Sequence, residues 1–398
     1  MTDRNLATGP ALRRVLTLWP LIFYGLGVIV GAGIYVAIGA VVARAGEAAP
    51  LSFLLAGIAA GLTGLCYAEL GSRFPEAAGG VSYVRRGFGS DRLAQVTGAA
   101  MTLAVAVAAA SIARGTAQYL GVLLPLPEPW LVAGVILGFT VIALTGVRAS
   151  VGLAATMGAI EILGLLAATA VGLISAPDLD ATGLIPASAQ GWGMALSGAF
   201  IAFFAFIGFE TLANLAEEVK EPQRTLPRGV LGAVAASVVL YVGVALAVVL
   251  SGKAGANPLL ALFPASAGTA FAVVGTIAVA NGVLVEIVML ARLFYGMARN
   301  GQLPARLAVV HPRSQTPTNA TLLAGGIVLV TALTVPFERL LVAANGITLA
   351  IFTLVAAALW RVKARGEPVP GTVFTVPAWV PPCAALVCLS LILAEFIG

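Results

Sequence analysis

Long apolar runs separated by short polar connections fill this chain from about residue 19 to its end. A helix needs about 20 mainly apolar residues to cross the hydrocarbon core of a bilayer. The pattern therefore predicts about eleven membrane spans. They cover about 19–43, 51–72, 92–122, 130–146, 153–175, 192–215, 229–251, 268–299, 318–335, 340–360 and 377–397.

The composition excludes an ordinary water-soluble domain. Apolar residues make up 60% of the chain and charged residues only 10%, whereas a soluble surface needs roughly a quarter of its residues charged. We therefore expect an all-α integral membrane protein. The three cysteines lie in or beside apolar runs and the single histidine, His311, lies in a polar loop, so neither a disulfide nor a metal site is predicted. No Walker-type phosphate-binding sequence occurs, which argues against ATP-driven transport, and no cofactor is predicted.

The basic residues are divided unevenly between the two sets of connections. If the N-terminal tail, residues 1–18, is cytoplasmic, only Arg44, Lys253 and Arg339 fall on the outer side. This is the positive-inside asymmetry. We therefore expect a multi-pass protein of a bacterial-type inner membrane with a cytoplasmic N-terminus and no cleavable signal peptide. The net charge of +5 then reflects membrane orientation, and no nucleic acid partner is predicted.

Two spans contain residues that a continuous lipid-facing helix avoids. Glycines crowd residues 25–33 of the first span, and Gly208 and Glu210 lie at mid-depth in the sixth. Glycine costs about 1 kcal/mol relative to alanine in a helix, and an acidic side chain at mid-bilayer costs about 3 kcal/mol. Close packing between helices would also explain the glycines of the first span. Interruption of both helices explains the two spans together.

The order of the spans predicts an internal repeat. Spans one and six occupy corresponding places in two runs of five, and spans three and eight are both unusually long. This arrangement predicts two repeats of inverted topology, residues 19–175 and 192–360, followed by an additional span at 377–398. Matching interruptions in matching helices indicate a binding site near the middle of the membrane.

Interrupted helices leave backbone groups without partners, and a zwitterion can satisfy them. The N–H groups of Gly31, Ala32 and Gly33, at the positive end of the following half-helix, can hold a carboxylate. Carbonyl groups freed at the two breaks, including the one near Gly208, can hold an ammonium group. Small residues are expected at the breaks because a side chain there would displace the ligand.

Four segments resemble motifs of a known group of membrane proteins. They are Gly31-Ala-Gly-Ile-Tyr35; Cys66-Tyr-Ala-Glu-Leu-Gly-Ser-Arg-Phe-Pro75 with Ala78-Gly-Gly-Val-Ser-Tyr83; Phe203-Phe-Ala-Phe-Ile-Gly-Phe-Glu210 with Glu217-Glu-Val-Lys-Glu-Pro-Gln-Arg224; and Ala291-Arg-Leu-Phe-Tyr-Gly-Met-Ala-Arg-Asn-Gly-Gln-Leu-Pro304. Together they resemble the amino acid/polyamine/organocation superfamily over spans one to eight. The resemblance implies a LeuT-like fold of two inverted five-helix repeats, in which helices 1 and 6 are discontinuous. The superfamily usually has twelve spans, so the eleven predicted here are a departure.

The resemblance also implies roles for individual residues. Ala32 and Gly33 would meet the substrate's carboxylate. The substrate's amine would meet carbonyl groups at the two breaks, those of Ile29, Phe204 and Ile207. The ring of Phe204 would resemble the superfamily's aromatic gate, although a ring in this position can also simply pack the bundle.

Two further carboxylates have competing interpretations. Glu69 lies at the cytoplasmic end of the second span, where an ion pair with Arg73 on the same helix face is at least as well supported as a role in transport. Glu210 follows the second break, where unpaired N–H groups favour a capping role over direct contact with the substrate.

Glu161 in the fifth span is a candidate for proton coupling. In many relatives the corresponding place resembles a lysine site, so the sign of the charge is reversed here. A partly buried carboxyl group could load and release a proton as the site alternates between the two sides of the membrane. The alternative is a polar residue that is hydrogen-bonded to a neighbouring helix.

Glu286 in the eighth span is the candidate for recognition of the substrate's side chain. It shares a helix face with Gly275 and Gly282, which predicts an open lane that ends at the carboxylate. By resemblance to arginine-type exchangers, this position contacts the substrate, and a carboxylate suits lysine, ornithine or a polyamine. Arg114 in the third span could instead pair with Glu286 or another carboxylate and leave a neutral pocket. A cationic amino acid is slightly favoured over a neutral one.

The sequence thus predicts a secondary transporter of an amino acid, working by proton symport or by exchange. Spans one, two, six and seven would rock against three, four, eight and nine in alternating access. A carrier of polyamines or other amines is the alternative, and it would leave the amides of 31–33 facing no carboxylate. A membrane-embedded enzyme or sensor is less favoured, because neither a nucleophile nor a metal cluster is found at mid-membrane. The predicted partners are the small-molecule substrate, the lipid bilayer and possible protons.

Overall fold

The structure is a computed structural model that describes residues 16–30, 32–74, 79–145, 147–176, 182–215, 219–253, 255, 257–299, 301–366 and 373–397. These residues form fifteen α-helices, with short 3₁₀ turns between some of them. In chain order the helices are α1 (Leu18–Ile29), α2 (Ala32–Ala45), α3 (Ala49–Arg73), α4 (Gly79–Phe88), α5 (Asp91–Leu123), α6 (Glu128–Thr145), α7 (Val147–Ile174), α8 (Ala189–Ala202), α9 (Thr211–Asn214), α10 (Pro222–Leu250), α11 (Pro258–Ala261), α12 (Ala265–Arg299), α13 (Thr318–Thr334), α14 (Phe337–Ala364) and α15 (Val380–Ile397).

The predicted all-helical membrane architecture is confirmed. Within the described residues, eight helical segments are long and apolar enough to cross a membrane. Shorter apolar helices accompany them at Leu18–Ile29, Thr318–Thr334 and Val380–Phe396. One of the eight segments, Gly33–Arg73, contains both α2 and α3. The helices α1 and α2 together form the first predicted span, since the 12 residues of α1 reach only about 18 Å.

Two local predictions need correction. The seventh span was predicted to begin near residue 229, but its helix, α10, already begins at Pro222. Proline is tolerated in a first helical turn, where its missing N–H would have no partner. A second proline, Pro227, lies inside the helix and leaves the carbonyl group of Gln223 without its usual donor. The hydroxyl group of Ser72 donates to that carbonyl at 3.0 Å and replaces the lost hydrogen bond. The sequence pattern also missed α4, which is a short helix between two spans.

The spanning helices pack in two groups. The first group contains α1, α2, α3, α8 and α10, with α3 packed along α10 and α2 along α8. The second group contains α5, α6, α12 and α13, with α5 packed along α12 and α6 along α13. These are the sets that were predicted to move against each other.

Contacts among the spanning helices are similar in the two runs of five. The fifth helix of the first run, α7, contacts α10 and α12, and the fifth helix of the second run, α14, contacts α3 and α5. Each corresponding pair α3 and α10, α5 and α12, and α6 and α13 is also in mutual contact. An approximate two-fold relation between the runs accounts for this pattern.

Candidate functional site

The first helix break separates α1 from α2. Helix α1 ends at Ile29, and the N–H of Val30 donates to the carbonyl group of Leu26. Helix α2 begins at Ala32. The predicted binding residue Gly31 lies outside the described residues, as does the side chain of Ala32. The first span is therefore interrupted at the predicted place.

The second helix break lies between α8 and α9. Helix α8 ends at Ala202 and tightens into a 3₁₀ turn, Phe203–Phe206. Ile207 is extended, and Gly208 has a φ angle of 123°, a conformation that residues with a side chain rarely adopt. This glycine is the point where the chain leaves one half-helix for the next. The prediction that helices 1 and 6 are discontinuous is confirmed.

The two breaks touch each other through their backbones. A Cβ atom added to Gly33 would lie 2.6 Å from the Cα atom of Ala205 and 3.2 Å from the carbonyl oxygen of Phe204. A Cβ atom added to Gly208 would lie 3.2 Å from the carbonyl oxygen of Val28. These glycines are therefore required for the close approach of the two breaks. The expectation that small residues here only leave room for a ligand is wrong for Gly33, since backbone fills that space.

A tyrosine that sequence reasoning missed joins the breaks. The hydroxyl group of Tyr241 on α10 lies 2.7 Å from the carbonyl oxygen of Ile29 and 2.9 Å from that of Ala205, and the two oxygens share its single donor proton. Its ring packs against Phe53 and Phe206 and is fully buried. The Ile29 carbonyl group, predicted to meet the substrate's amine, therefore keeps one lone pair for a ligand. A single tyrosine within an apolar run carries no signal for such a contact.

Other backbone groups at the second break are partly satisfied. The N–H of Ile207 makes a long contact of 3.4 Å with the carbonyl oxygen of Phe204. The Gly208 carbonyl oxygen accepts from the N–H and the hydroxyl group of Thr211. Among the described hydrogen bonds, none ends on the Ile207 carbonyl oxygen. The Ile207 carbonyl group is thus the most available acceptor at this break.

The carboxylate of Glu210 caps the second break. Its Oε2 atom accepts a hydrogen bond of 2.8 Å from the N–H of Gly208. The carboxylate thus satisfies an N–H group of the break itself, whereas no side-chain hydrogen bond from Glu210 caps the first turn of α9. The same carboxylate lies close enough to Glu286 on α12 for the two charges to repel each other. The Oε2 atom of Glu286 is buried and has no hydrogen-bond partner among the described residues.

Arg114 does not neutralise Glu286. Its guanidinium group pairs with Glu128 at 2.9 Å and donates to the carbonyl oxygen of Val335 at 2.7 Å. The alternative in which Arg114 pairs with Glu286 is therefore wrong. Arg114 ties α5 to the beginning of α6 and the end of α13. Among the described residues, no ion pair reaches Glu210 or Glu286.

The predicted open lane on α12 is filled at one end. A Cβ atom added to Gly275 would clash with the ring of Tyr119 on α5, so that glycine serves helix packing. The hydroxyl group of Tyr119 donates to the carbonyl oxygen of Tyr35 at 3.2 Å. The open lane toward Glu286 therefore does not extend to Gly275. The spacing of eleven residues between Gly275 and Glu286 placed them on one helix face, but it could not show that a ring of α5 fills the space beside Gly275.

Most phenylalanines of the second break pack the bundle. The ring of Phe203 packs against Phe352, and that of Phe206 packs against Tyr241. The ring of Phe209 packs against both Tyr67 and Phe352. Phe204 is buried and its carbonyl oxygen faces Gly33. Its role as a gate stays a prediction.

Glu161 is buried beside α1, near the Tyr241 side chain that joins the breaks. It is 0% exposed, and neither carboxyl oxygen forms a hydrogen bond of good geometry with a described residue. The side chain of Asn281 on α12 lies beside it, and the Oδ1 atom of Asn281 also has no partner among these residues. A Cβ atom added to the neighbouring Gly158 would lie 4.0 Å from the Cα atom of Gly27 in α1. A carboxyl group is thus buried where α1, α7 and α12 meet.

Glu69 forms a structural ion cluster at the far end of the bundle. Its carboxylate pairs with Arg73 at 2.6 Å and with Lys363 of α14 at 2.9 Å, and it accepts from the N–H of Val376 at 2.7 Å. The predicted pair with Arg73 is therefore present, and the sequence did not indicate the other two partners. The cluster holds α3, α14 and the segment before α15 together.

Comparison with known proteins agrees with this arrangement. The profile of a family described as amino acid permease matches residues 16–397. The methylthioribose transporter of Bacillus subtilis (strain 168) is 32% identical over 95% of this chain and 88% of its own length. The branched-chain amino acid permease BcaP of the same organism is 29% identical over 96% of this chain and 88% of its own length.

Plant proteins are also similar. Cationic amino acid transporter 9, chloroplastic, of Arabidopsis thaliana is 32% identical over 77% of this chain. The chain spans 58% of that protein's length. Two interrupted helices in contact, a multi-pass helical membrane architecture and a match along almost the whole chain lead to one conclusion: this protein belongs to the amino acid permease family of the amino acid/polyamine/organocation superfamily.

Proposed function

We propose that this permease is a secondary transporter that carries a cationic amino acid across a bacterial-type inner membrane by alternating access. The N-terminus lies in the cytoplasm, as the positive-inside asymmetry of the sequence indicates. Transport itself is the activity of its relatives, whose names specify cationic amino acids, branched-chain amino acids and methylthioribose. Because these substrates differ, the names of the relatives do not decide the substrate of this protein, and it has to be inferred from the residues of the site.

The backbone at the breaks suits the α-amino and α-carboxyl groups. The substrate's carboxylate binds the N–H groups of Ala32 and Gly33 at the start of α2, where the helix dipole favours a negative charge, together with that of Gly31 as the sequence predicts. Its ammonium group binds the carbonyl oxygen of Ile207, together with the remaining lone pairs of Ile29 and Phe204. Gly208 allows these two sets of groups to face one substrate. The aromatic ring of Phe204 closes over it.

The negative charge of the site is the reason to propose a substrate with a cationic side chain. Glu210 and Glu286 lie near each other, and no described residue supplies a positive partner for either. Buried carboxylates are normally paired, because desolvation without a partner costs several kcal/mol. A second positive charge on the substrate satisfies this requirement. With a neutral amino acid or a thio-sugar, a proton on one of the two carboxyl groups would have to supply the compensation.

Alternating access follows from the two groups of helices. Motion of α1, α2, α3, α8 and α10 against α5, α6, α12 and α13 exposes the breaks to one side at a time. The buried carboxyl group of Glu161 lies where α1, which belongs to the first group, meets α7 and α12. This contact changes when the two groups move. Glu161 exchanges a proton as this contact opens, and this couples uptake to the pH gradient.

A panel of substrates tests the assignment. In proteoliposomes we expect labelled lysine uptake to be inhibited by ornithine and arginine more strongly than by leucine or methylthioribose. Polyamines are expected to compete weakly, because they have no carboxylate for the amides of α2. Dominant inhibition by a polyamine would instead favour the amine-carrier alternative.

Glu286→Gln is expected to lower kcat/KM for lysine by about 10- to 100-fold, since it removes a charge-assisted contact. Leucine uptake should change by less than about threefold. Glu286→Asp keeps the charge and serves as the matched control. Equal losses for lysine and leucine would show that Glu286 does not recognise the side chain. Initial rates measured over a range of substrate concentrations separate these outcomes.

A further inference from the structure

A cavity lies beyond the two breaks, on the side away from the Glu69 cluster. Its volume is ≈380 Å³, which is far more than the space of about 30 Å³ that one water molecule occupies. Its walls are formed by α2, α5, α8 and α14, through residues that include Val36, Gln118 and Ile201. Val36 and Ile201 each lie three residues from a residue of the breaks, Gly33 and Phe204. The cavity therefore leads toward the breaks.

Helix α14 fixes which end of the molecule this is. Glu338 lines the cavity at the beginning of α14, and Lys363, which pairs with Glu69, lies near the other end. A helix of 28 residues is about 42 Å long. The cavity and the ion cluster are thus separated by the thickness of a membrane. With the N-terminus in the cytoplasm, the cavity opens to the outside.

The two charged residues in the wall of the cavity differ in their surroundings. Arg44 of α2 donates to the hydroxyl group of Ser197 at 2.7 Å and lies 3.7 Å from the carboxylate of Glu395. Its positive charge is therefore compensated. Glu338 takes part in no ion pair among the described residues, and its neighbour Arg339 is not part of the cavity wall. Of the two charged residues in the cavity wall, only the negative one, the exposed Glu338, has no ion-pair partner among the described residues.

We propose that this cavity is an outer subsite that receives the side-chain cation of the substrate, an ammonium or guanidinium group, with Glu338 as the residue that receives it. The proposal rests on the proposed function, because it requires a cationic substrate. A single carboxylate in a concave, largely apolar wall concentrates cations near it, since field lines are focused there. The substrate then moves from Glu338 toward Glu286, from one carboxylate to the next. The side chain of Glu338 is a specificity determinant and does not contact the substrate bound at the breaks.

The test compares uptake of lysine and leucine in proteoliposomes at low and high ionic strength. Glu338→Gln is expected to raise the KM for lysine about three- to fivefold at low ionic strength and to leave kcat nearly unchanged. The KM for leucine should stay the same. In about 0.5 M salt the difference between variant and wild type should disappear, because the charge is screened. Glu47→Gln, which removes another exposed carboxylate outside the cavity wall, is the matched control.

Three results would overturn the subsite. They are an equal rise in KM for lysine and leucine, a change in kcat without a change in KM, and an equal effect of Glu47→Gln. Each of these leaves the proposed function intact, provided that the wild type carries lysine. A wild-type protein that carries leucine but no lysine would refute the proposed function and the subsite together.

Discussion

Gly33→Ala is expected to reduce substrate uptake by about 100-fold or more, because a misplacement of about 1 Å at a binding site has effects of that size. The added Cβ atom would lie 2.6 Å from the Cα atom of Ala205, which is backbone and cannot rotate away. The start of α2 or the 3₁₀ turn after α8 must shift to accommodate it. Either shift moves the N–H and carbonyl groups that hold the two ends of the substrate. Uptake of labelled lysine into proteoliposomes measures the effect.

The control for this substitution is a glycine in open surroundings. Gly61 lies within α3, and nothing lies within 4 Å of a Cβ atom added there. Gly61→Ala should keep full uptake and add a little helix stability, since alanine is favoured over glycine by about 1 kcal/mol. If Gly33→Ala transports as well as Gly61→Ala, the contact between the breaks does not position the substrate. Folding of both variants is checked by thermal unfolding in detergent.

Glu161→Gln is expected to abolish accumulation driven by a pH gradient while exchange of labelled for unlabelled substrate continues. A buried carboxyl group without a partner is unfavourable as an anion, so a proton satisfies it until the pocket opens. Glutamine keeps the size and polarity of the side chain but cannot release a proton. A gradient of one pH unit stores about 1.4 kcal/mol, enough for about tenfold accumulation by one proton. In the variant, the ratio of internal to external lysine concentration should be about one, as for passive equilibration.

Glu161→Asp retains a titratable group and should keep part of the accumulation. The measurement is the internal concentration of labelled lysine at steady state, with the gradient imposed and then dissipated. Wild-type accumulation in Glu161→Gln would show that the proton is carried elsewhere or that the protein works by exchange alone. Loss of both accumulation and exchange would indicate a structural role for Glu161.

The architecture could be predicted from the sequence because lipid imposes strong constraints on it. Apolar runs of sufficient length can only be spans, and backbone polar groups in hydrocarbon must be satisfied within each span. Glycine is unfavourable in a continuous helix, so glycines in the middle of a span, such as Gly33 and Gly208, indicated where the two helices break. The ends of the spans were less certain. The helix before residue 229 was missed, because its two prolines normally indicate a loop.

The contacts within the site could not be predicted, because they depend on which helices face each other. Tyr241 reaches two carbonyl groups on different helices, and neither neighbour is near it in sequence. Arg114 was expected to pair with Glu286 or another carboxylate, and only the structure shows that its partner is Glu128 at the start of the next helix. The partners Lys363 and Val376 of Glu69 lie about three hundred residues further along the chain. Local patterns identify candidate side chains, and tertiary packing decides their partners.

The central claim is that the substrate's α-amino and α-carboxyl groups complete the backbone at the two breaks. An experimental structure with bound lysine at a resolution sufficient to place the ligand tests it most directly. The account predicts the carboxylate within hydrogen-bonding distance of the N–H groups of Ala32 and Gly33, the ammonium group at the carbonyl oxygen of Ile207, and the side-chain amine toward Glu286. Lysine bound elsewhere, with no ligand atom contacting either break, would contradict it.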